Sequence, residues 1–241
     1  REQITRFSEQ IKENEQKIGQ YQRELSEKQE KLRVGQTAYH RESSRLESLK
    51  NITERYDGYG NSIRKVMSNK DRVPGLLGVV ADIIKVEKEY EIAVETALGG
   101  SIQNIVTDTE ETAKRMIQYL KQNKFGRATF LPLTSMHGSG GIRDAQALKE
   151  PGVIGLANTL VTVEAKFQVL ADQLLGRTIV VDHIDHGIAI ARKYRQSLRL
   201  VTLEGDLINP GGSMTGGAFK NSSNLLSRRR EIEEFEETVA L

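Results

Sequence analysis

Three groups of residues in this 241-residue sequence have types and spacings that could do chemistry. The first, Pro210-Gly211-Gly212-Ser213-Met214-Thr215-Gly216-Gly217, sets two glycine pairs five residues apart. Its only reactive side chains are two hydroxyls. It would therefore act through its backbone, by positive φ or by close approach of another chain or ligand. A phosphate cradle, an ordinary turn and a contact between two backbones are its three readings. The second group, Asp182-His183-Ile184-Asp185-His186, carries the donor types of a metal site. The third is basic: no acidic residue lies between Asp206 and Glu231, whereas Lys220, Arg228, Arg229 and Arg230 do.

A phosphate cradle calls for Lys-Ser/Thr at a following helix start, or for GxGxxG between strand and helix. Neither is present, and Lys220 comes late. A turn accounts for one glycine pair. Close packing accounts for both, because a strand over Leu207-Ile208-Asn209 would meet another strand where Cβ atoms obstruct. The Asp-His stretch reads as a helix start capped by Asp182 or Asp185, with acidic residues at the positive helix end. We assign no metal to it, since His40 and His137 lie in a rod and a loop and no cysteine exists to complete a ligand set. Three arginines at a helix start oppose the macrodipole. Lys220, Arg228, Arg229 and Arg230 are therefore read as contacts to a polyanion, salt-sensitive and indifferent to sequence. No nucleophile–base arrangement stands out.

The elements that position these groups are of two materials. All four prolines and nineteen of the 21 glycines lie between Gly58 and Gly217, which separates a globular middle from solvated flanks. Before it, Ile4, Ile11, Ile18, Leu25, Leu32, Tyr39 and Leu46 fill every a position of seven heptads. The d positions are weaker, with Asn14, Lys28 and Glu42 among them. An apolar column at a 3.5-residue period is a coiled-coil signature, and the rod would be about 80 Å long. After Gly217, Leu225, Ile232, Phe235 and Val239 resume a/d spacing without glycine or proline. The flanks would pair antiparallel, leaving most of the longer first rod without a partner. With heptads already under way at Arg1, the chain reads as a piece of a longer one.

Zero cysteines argue against a disulfide-stapled secreted fold. No apolar run approaches the roughly 20 residues that span a bilayer. In the middle, Leu76–Ile84, Gln103–Thr107, Ala128–Leu133, Thr178–Val181 and Leu198–Leu203 read as strands. Helices are expected over 87–98, 109–122 and 166–175, and from about Ile184 to Tyr194. Ile105-Val106-Thr107-Asp108 overlays Ile179-Val180-Val181-Asp182 at an offset of 74, an internal repeat of two α/β halves joined by a glycine-rich connector, 137–141. The expected divisions are a coiled-coil arm and junction over 1–71, subdomains over 72–150 and 151–219, and a returning helix over 220–241. Each half is small to stand alone, so the two should pack on each other.

Coiled coil, duplicated α/β globule and coiled coil in this order resemble the hinge of bacterial SMC (structural maintenance of chromosomes) proteins. The resemblance rests on Val73-Pro74-Gly75 with Gly78-Val79, on Ala97-Leu98-Gly99-Gly100, and on the run from Asp206 to Gly217. It implies an α/β hinge of two repeated subdomains flanked by antiparallel coiled-coil helices. It implies a homodimer through paired sheet edges with Gly211, Gly212, Gly216 and Gly217 at the contact, and DNA binding in chromosome condensation and segregation. It further implies a cytoplasmic, nucleoid-associated parent with ATP and Mg at distant heads and kleisin-type subunits. This stretch has no ATPase motif, so it is expected to hold no cofactor and to catalyse nothing. A nucleotide-binding α/β domain carried on a coil is the alternative.

Overall fold

The structure, a computed structural model, describes residues 2–54, 59–218 and 225–240. Lys220 lies outside the described residues. By its contacts the chain divides into two units, residues 1–48 with 235–241, and residues 49–234. In the first unit, helix α1 begins its single run from Glu2 to Glu54. Its apolar column is solvent-facing through most of its length, Ile4 being 74% exposed and Leu32 61%. Burial sets in at Glu42 and Leu46, the d and a positions of the last heptads. There the final helix returns, and the Arg45 guanidinium lies 4.8 Å above the Phe235 ring.

The second unit opens with α2 (Asn61–Met67), then β1 (Leu76–Val79), the one-turn helix α3 (Val80–Ile83), β2 (Lys85–Val86), α4 (Glu91–Leu98), β3 (Ile105–Thr107), α5 (Glu110–Asn123) and β4 (Phe130–Pro132). The later half follows with β5 (Val153–Leu156), β6 (Val161–Thr162), α6 (Gln168–Leu175), β7 (Thr178–Val181), α7 (Ile184–Lys193), β8 (Arg199–Thr202), β9 (Leu207–Ile208) and β10 (Met214–Thr215). Helix α8 (Leu225–Ala240) closes the chain.

The repeat is visible strand by strand. β1 pairs antiparallel with β3, which pairs parallel with β4. β5 pairs antiparallel with β7, which pairs parallel with β8. Even the register breaks correspond, between Leu76 and Gly78 and between Val153 and Gly155. The halves differ at one edge: the second sheet continues from β8 into β9 and β10, whereas the first ends at β4. A short β2–β6 ribbon ties the halves together.

Strand period 2 explains how the sheet is buried on both sides. On β7, Val180 joins a core that also contains Ile105, Val106, Leu170 and Val201, so the halves share one interior. Ile179 and Val181 point the other way, into a second cluster with Ile190, Leu200 and Ile208 under α7. Arg199 adds a polar tie, donating to the Ala97 carbonyl at the end of α4 and to the Thr178 hydroxyl at 3.0 and 2.8 Å.

Two sequence expectations need correction. The apolar run 76–84 is a strand only to Val79. Gly78 takes φ +147°, and the chain then turns into α3. The N-caps also differ: Thr109 is the N-cap of α5, not Asp108, and His183 is that of α7, not Asp182 one residue before it nor Asp185, which lies inside the helix. The aspartates act from just outside, each accepting the backbone N–H of the following residue at 2.7 Å.

Candidate functional site

The glycine stretch folds as the β9–β10 hairpin. Asn209 donates its N–H to Ser213 O at 2.9 Å, and Gly212 donates to Asn209 O at 3.0 Å. Gly211 donates to Gln196 O at 2.8 Å. Gly211 and Gly212 take φ of +90° and +92°, a conformation that a Cβ penalises, so this pair shapes the turn. Gly216 has a separate reason: a Cβ there would collide with the Asp206 carboxylate. Gly217 has φ +133° and nothing within 4 Å of its missing Cβ. With its glycine N–H groups at the turn already used and a strand following, the hairpin is not a phosphate cradle. Residues 213–218 are exposed, Met214 by 53%, and β10 is the outer edge of its sheet.

The arginine cluster sits in the first turns of α8, and two of its members are held by carboxylates. Arg230 donates through Nε to Glu91 Oε1 and through Nη1 to Glu234 Oε1, each at 2.5 Å. Its side chain is 20% exposed and that of Glu91 7%. Glu91 and Glu234 raise the Arg230 guanidinium well above its ordinary range. Arg229 contacts Glu233 at 3.5 Å, and Glu233 also pairs with Lys85 at 2.7 Å. Burial pushes the Asp82 carboxyl up, and Arg229 and Arg228 pull it back. The unfavourable placement of cations at a helix N-terminus is thus offset inside the fold. The Arg230–Glu91 pair spans 139 residues, and no local signal in the sequence marks it.

Glu95 lies one turn after Glu91 on α4 and faces the same helix start. Burial pushes its carboxyl up to about 7, the Glu91 charge adds to this, and a backbone hydrogen bond from Leu225 works against it. Its Oε2 is buried without a hydrogen-bond partner. A carboxyl whose folded pKa exceeds its unfolded one favours the fold when protonated. That contribution is complete below about pH 4.5 and is lost as pH rises through 7. Glu95→Gln is therefore expected to flatten the decline. At pH 8.5 it should melt about 2–4 °C above the parent, after allowance for partial solvent screening, and at pH 5 the two should coincide. Parallel melting curves at both pH values would count against this.

The Asp-His stretch is more gathered than its sequence reading implied. One donor atom each of Asp182, His183 and His186 lie within 4.8 Å of one another. The imidazoles stack with centroids 4.2 Å apart and planes at 26°. His186 Nδ1 is 2.7 Å from Asp182 Oδ1, and this bond together with the His183 N–H lowers the Asp182 carboxyl. At Gly152, with φ +86°, a Cβ would collide with the His186 ring and the Asp182 carboxylate.

A duplicated α/β module with a long helix entering and a second helix leaving defines a class of α/β domains carried between helical flanks. Comparison identifies the class further. Residues 73–191 match the family model of the SMC proteins Flexible Hinge Domain. The chain is 42% identical to Chromosome partition protein Smc of Desulfitobacterium hafniense over 88% of its own length and 18% of that protein's. It is 38% identical to Chromosome partition protein Smc of Bacillus subtilis over 94% and 19%. It superposes on the asymmetric dimer structure of the Geobacillus stearothermophilus SMC hinge domain with a TM-score of 0.77 and 35% identity, covering 85% of this chain and 86% of that one. The Pyrococcus furiosus SMC hinge gives 0.57 and 29%, over 77% and 92%. This chain belongs to the SMC hinge family, and this family is not a catalytic one. It spans about a fifth of the length of the curated relatives it matches. Among the described residues no helix is long and apolar enough to cross a membrane.

Proposed function

We propose that this chain is the joint through which two copies of a chromosome-partition protein associate. The observation that carries this is the unequal ending of the two sheets. In the second half β9 and β10 complete the sheet beyond β8, and in the first half β4 occupies the place of β8 with no further strand beside it among the described residues. A twofold-related copy can lay its β10 beside β4, and receive the reciprocal contact, so that two open edges close at once. Pro132 lacks an N–H and sits at the end of β4, where an edge strand tolerates it. Met214 provides the exposed apolar contact. Gly216 and Gly217 flank β10 and keep the approach clear, while Gly211 and Gly212 act indirectly through the turn.

Light scattering at micromolar concentration tests this. The parent chain is expected to be a dimer, and Met214→Asp, which alters one exposed side chain, is expected to yield monomers that keep the parent's far-ultraviolet circular dichroism. Gly216 is unsuitable for the test, because its substitution disturbs Asp206 within the same chain. A parent that scatters as a monomer, or a variant that dimerises as tightly, overturns the proposal.

A second reading is supported by the absence of acidic residues between Asp206 and Glu231. In this reading DNA phosphates contact Lys220, Arg228 and Arg229, while Arg230 serves the fold. Arg228→Glu with Arg229→Glu should weaken duplex binding and lower the slope of log K against log salt by about 2. An unaltered slope removes these residues from the contact. In the longer protein this joint would serve chromosome condensation and segregation in the cytoplasm at the nucleoid, with ATP and Mg at the heads, kleisin-type subunits, and a helical partner for the exposed α1 column. A fractionated cell extract in which the full-length protein fails to co-sediment with the nucleoid would defeat that placement.

A further inference from the structure

The two halves differ in chemistry at one matched position. In the first half, Asp108 Oδ1 accepts from the Thr109 N–H at 2.7 Å and from the Thr112 hydroxyl at 2.6 Å. The Asp108 N–H reaches Gly75 O at 3.0 Å. In the second half, 74 residues on, Asp182 Oδ1 accepts from the His183 N–H at 2.7 Å and meets His186 Nδ1 at 2.7 Å. The Asp182 N–H reaches Gly152 O at 2.9 Å. Both halves use one backbone arrangement, with two threonines in the first and two histidines in the second.

The threonines show what the fold requires. The Thr109 side chain caps α5 by accepting the Thr112 N–H, whereas His183 at the matching N-cap makes no side-chain cap bond. Imidazoles are thus unnecessary for the turn, and at one position they forgo a cap that threonine supplies. What they add is a pair of nitrogen donors, stacked at 4.2 Å beside a carboxylate.

We propose that Asp182, His183 and His186 form a binding site for a divalent transition metal ion of the zinc class. A mixed nitrogen and oxygen donor set suits Zn²⁺, Co²⁺ or Ni²⁺, with water in the remaining position. His186 Nδ1 lies 2.7 Å from Asp182 Oδ1, so that nitrogen and the carboxylate face one point, and the unprotonated Nδ1 is the ring's ligand. Asp182 Oδ2 stands 3.8 Å from His183 Nε2. Ligands on one tetrahedral ion are about 3.4 Å apart, so the 4.8 Å cluster must contract by about 1 Å. His183 is exposed and the other two side chains are partly so, which leaves them room to move. The positive end of α7 opposes a cation, and Asp182 with Asp185, whose Oδ2 is 4.0 Å from His183 Nδ1, supplies the opposing charge.

Tag-free, metal-stripped protein titrated with Co²⁺ provides the test. One equivalent per chain is expected to produce visible d–d absorption that added Zn²⁺ removes. His183→Thr with His186→Thr installs the first half's own residues. It should keep the melting curve and weaken Co²⁺ binding by about 100-fold or more. Should the double variant fold poorly, His183→Thr alone changes only an exposed side chain and should still weaken binding. Histidine side-chain nitrogen resonances of the unaltered protein give a readout free of mutation: those of His183 and His186 should shift with Zn²⁺ while those of His40 and His137 stay. Absence of a saturable signal overturns the site, as does equal affinity in the variants or a shift spread over all four histidines.

Discussion

Arg230→Ala is expected to lower the unfolding free energy of the hinge by about 3–5 kcal/mol, because it strands a buried carboxylate without its counter-charge. Glu91 is 5% exposed and lies on α4, one turn from Glu95, whose carboxyl burial pushes up to about 7. Without the guanidinium, the Glu91 carboxylate is left in the packing between α4 and α8 without the partner that offsets its desolvation. Removal of the other partner is not equivalent. In Glu91→Gln, Arg230 keeps Glu234 at 2.5 Å and a 20% exposed path to water, so about 1–2 kcal/mol is expected. Urea denaturation of both variants at pH 7 would measure the asymmetry. An Arg230→Ala variant within 1 kcal/mol of the parent would mean that the pair is not desolvated as its burial indicates. The same contact separates two roles within the cluster: Arg230 joins the returning helix to the globule, and a test of DNA binding has to leave it in place.

Features with a local physical cause were readable from the residues alone. The α1 heptads and the β3/β7 duplication follow from period and offset, whereas of the apolar positions Ala113, Met116, Ile117 and Leu120 in α5 the first, second and last are buried and Ile117 is 39% exposed. Other features depend on partners remote in sequence. β5 carries no local strand signal, because Val153–Leu156 is interrupted by Gly155 and preceded by Gly152. It is a strand because β7 pairs with it. β10 has two residues and exists through β9. The cap positions were one residue off because Asp108 and Asp182 are good cap types that here serve the preceding position. The arginine cluster was read as a face for polyanions by macrodipole reasoning, which is sound locally. The carboxylate that answers Arg230 comes from α4, and nothing within a helical turn announces it. Of the glycines, the turn pair was legible as backbone chemistry. That Gly216 clears Asp206 needed the β8–β9 turn in place.

The duplicated Asp–Gly contact yields a graded series in which the order of effects is the test. Gly152→Ala combines two penalties: a Cβ at φ +86°, and contacts with the His186 ring and with Asp182 Oδ1, the latter at 2.6 Å. Left-handed backbone and forced overpacking together should cost about 2–4 kcal/mol. Gly75→Ala carries only the steric part, against Thr112 and, at 2.5 Å, Asp108 Oδ1, so about 1–3 kcal/mol is expected. Gly211→Ala carries only the backbone part at φ +90°, with nothing within 4 Å, and should cost about 1–2 kcal/mol. Equal losses at Gly152 and Gly211 would show that the contact contributes nothing beyond the dihedral. A double-mutant cycle isolates the contact: in a His186→Ala background, Gly152→Ala should lose at least about 0.5 kcal/mol of its effect, since the ring it strikes is gone. Additivity would place the strain in the backbone alone. Coupling would establish that the added Cβ strikes the His186 ring, and so that glycine at 152 is what leaves room for that ring beside Asp182.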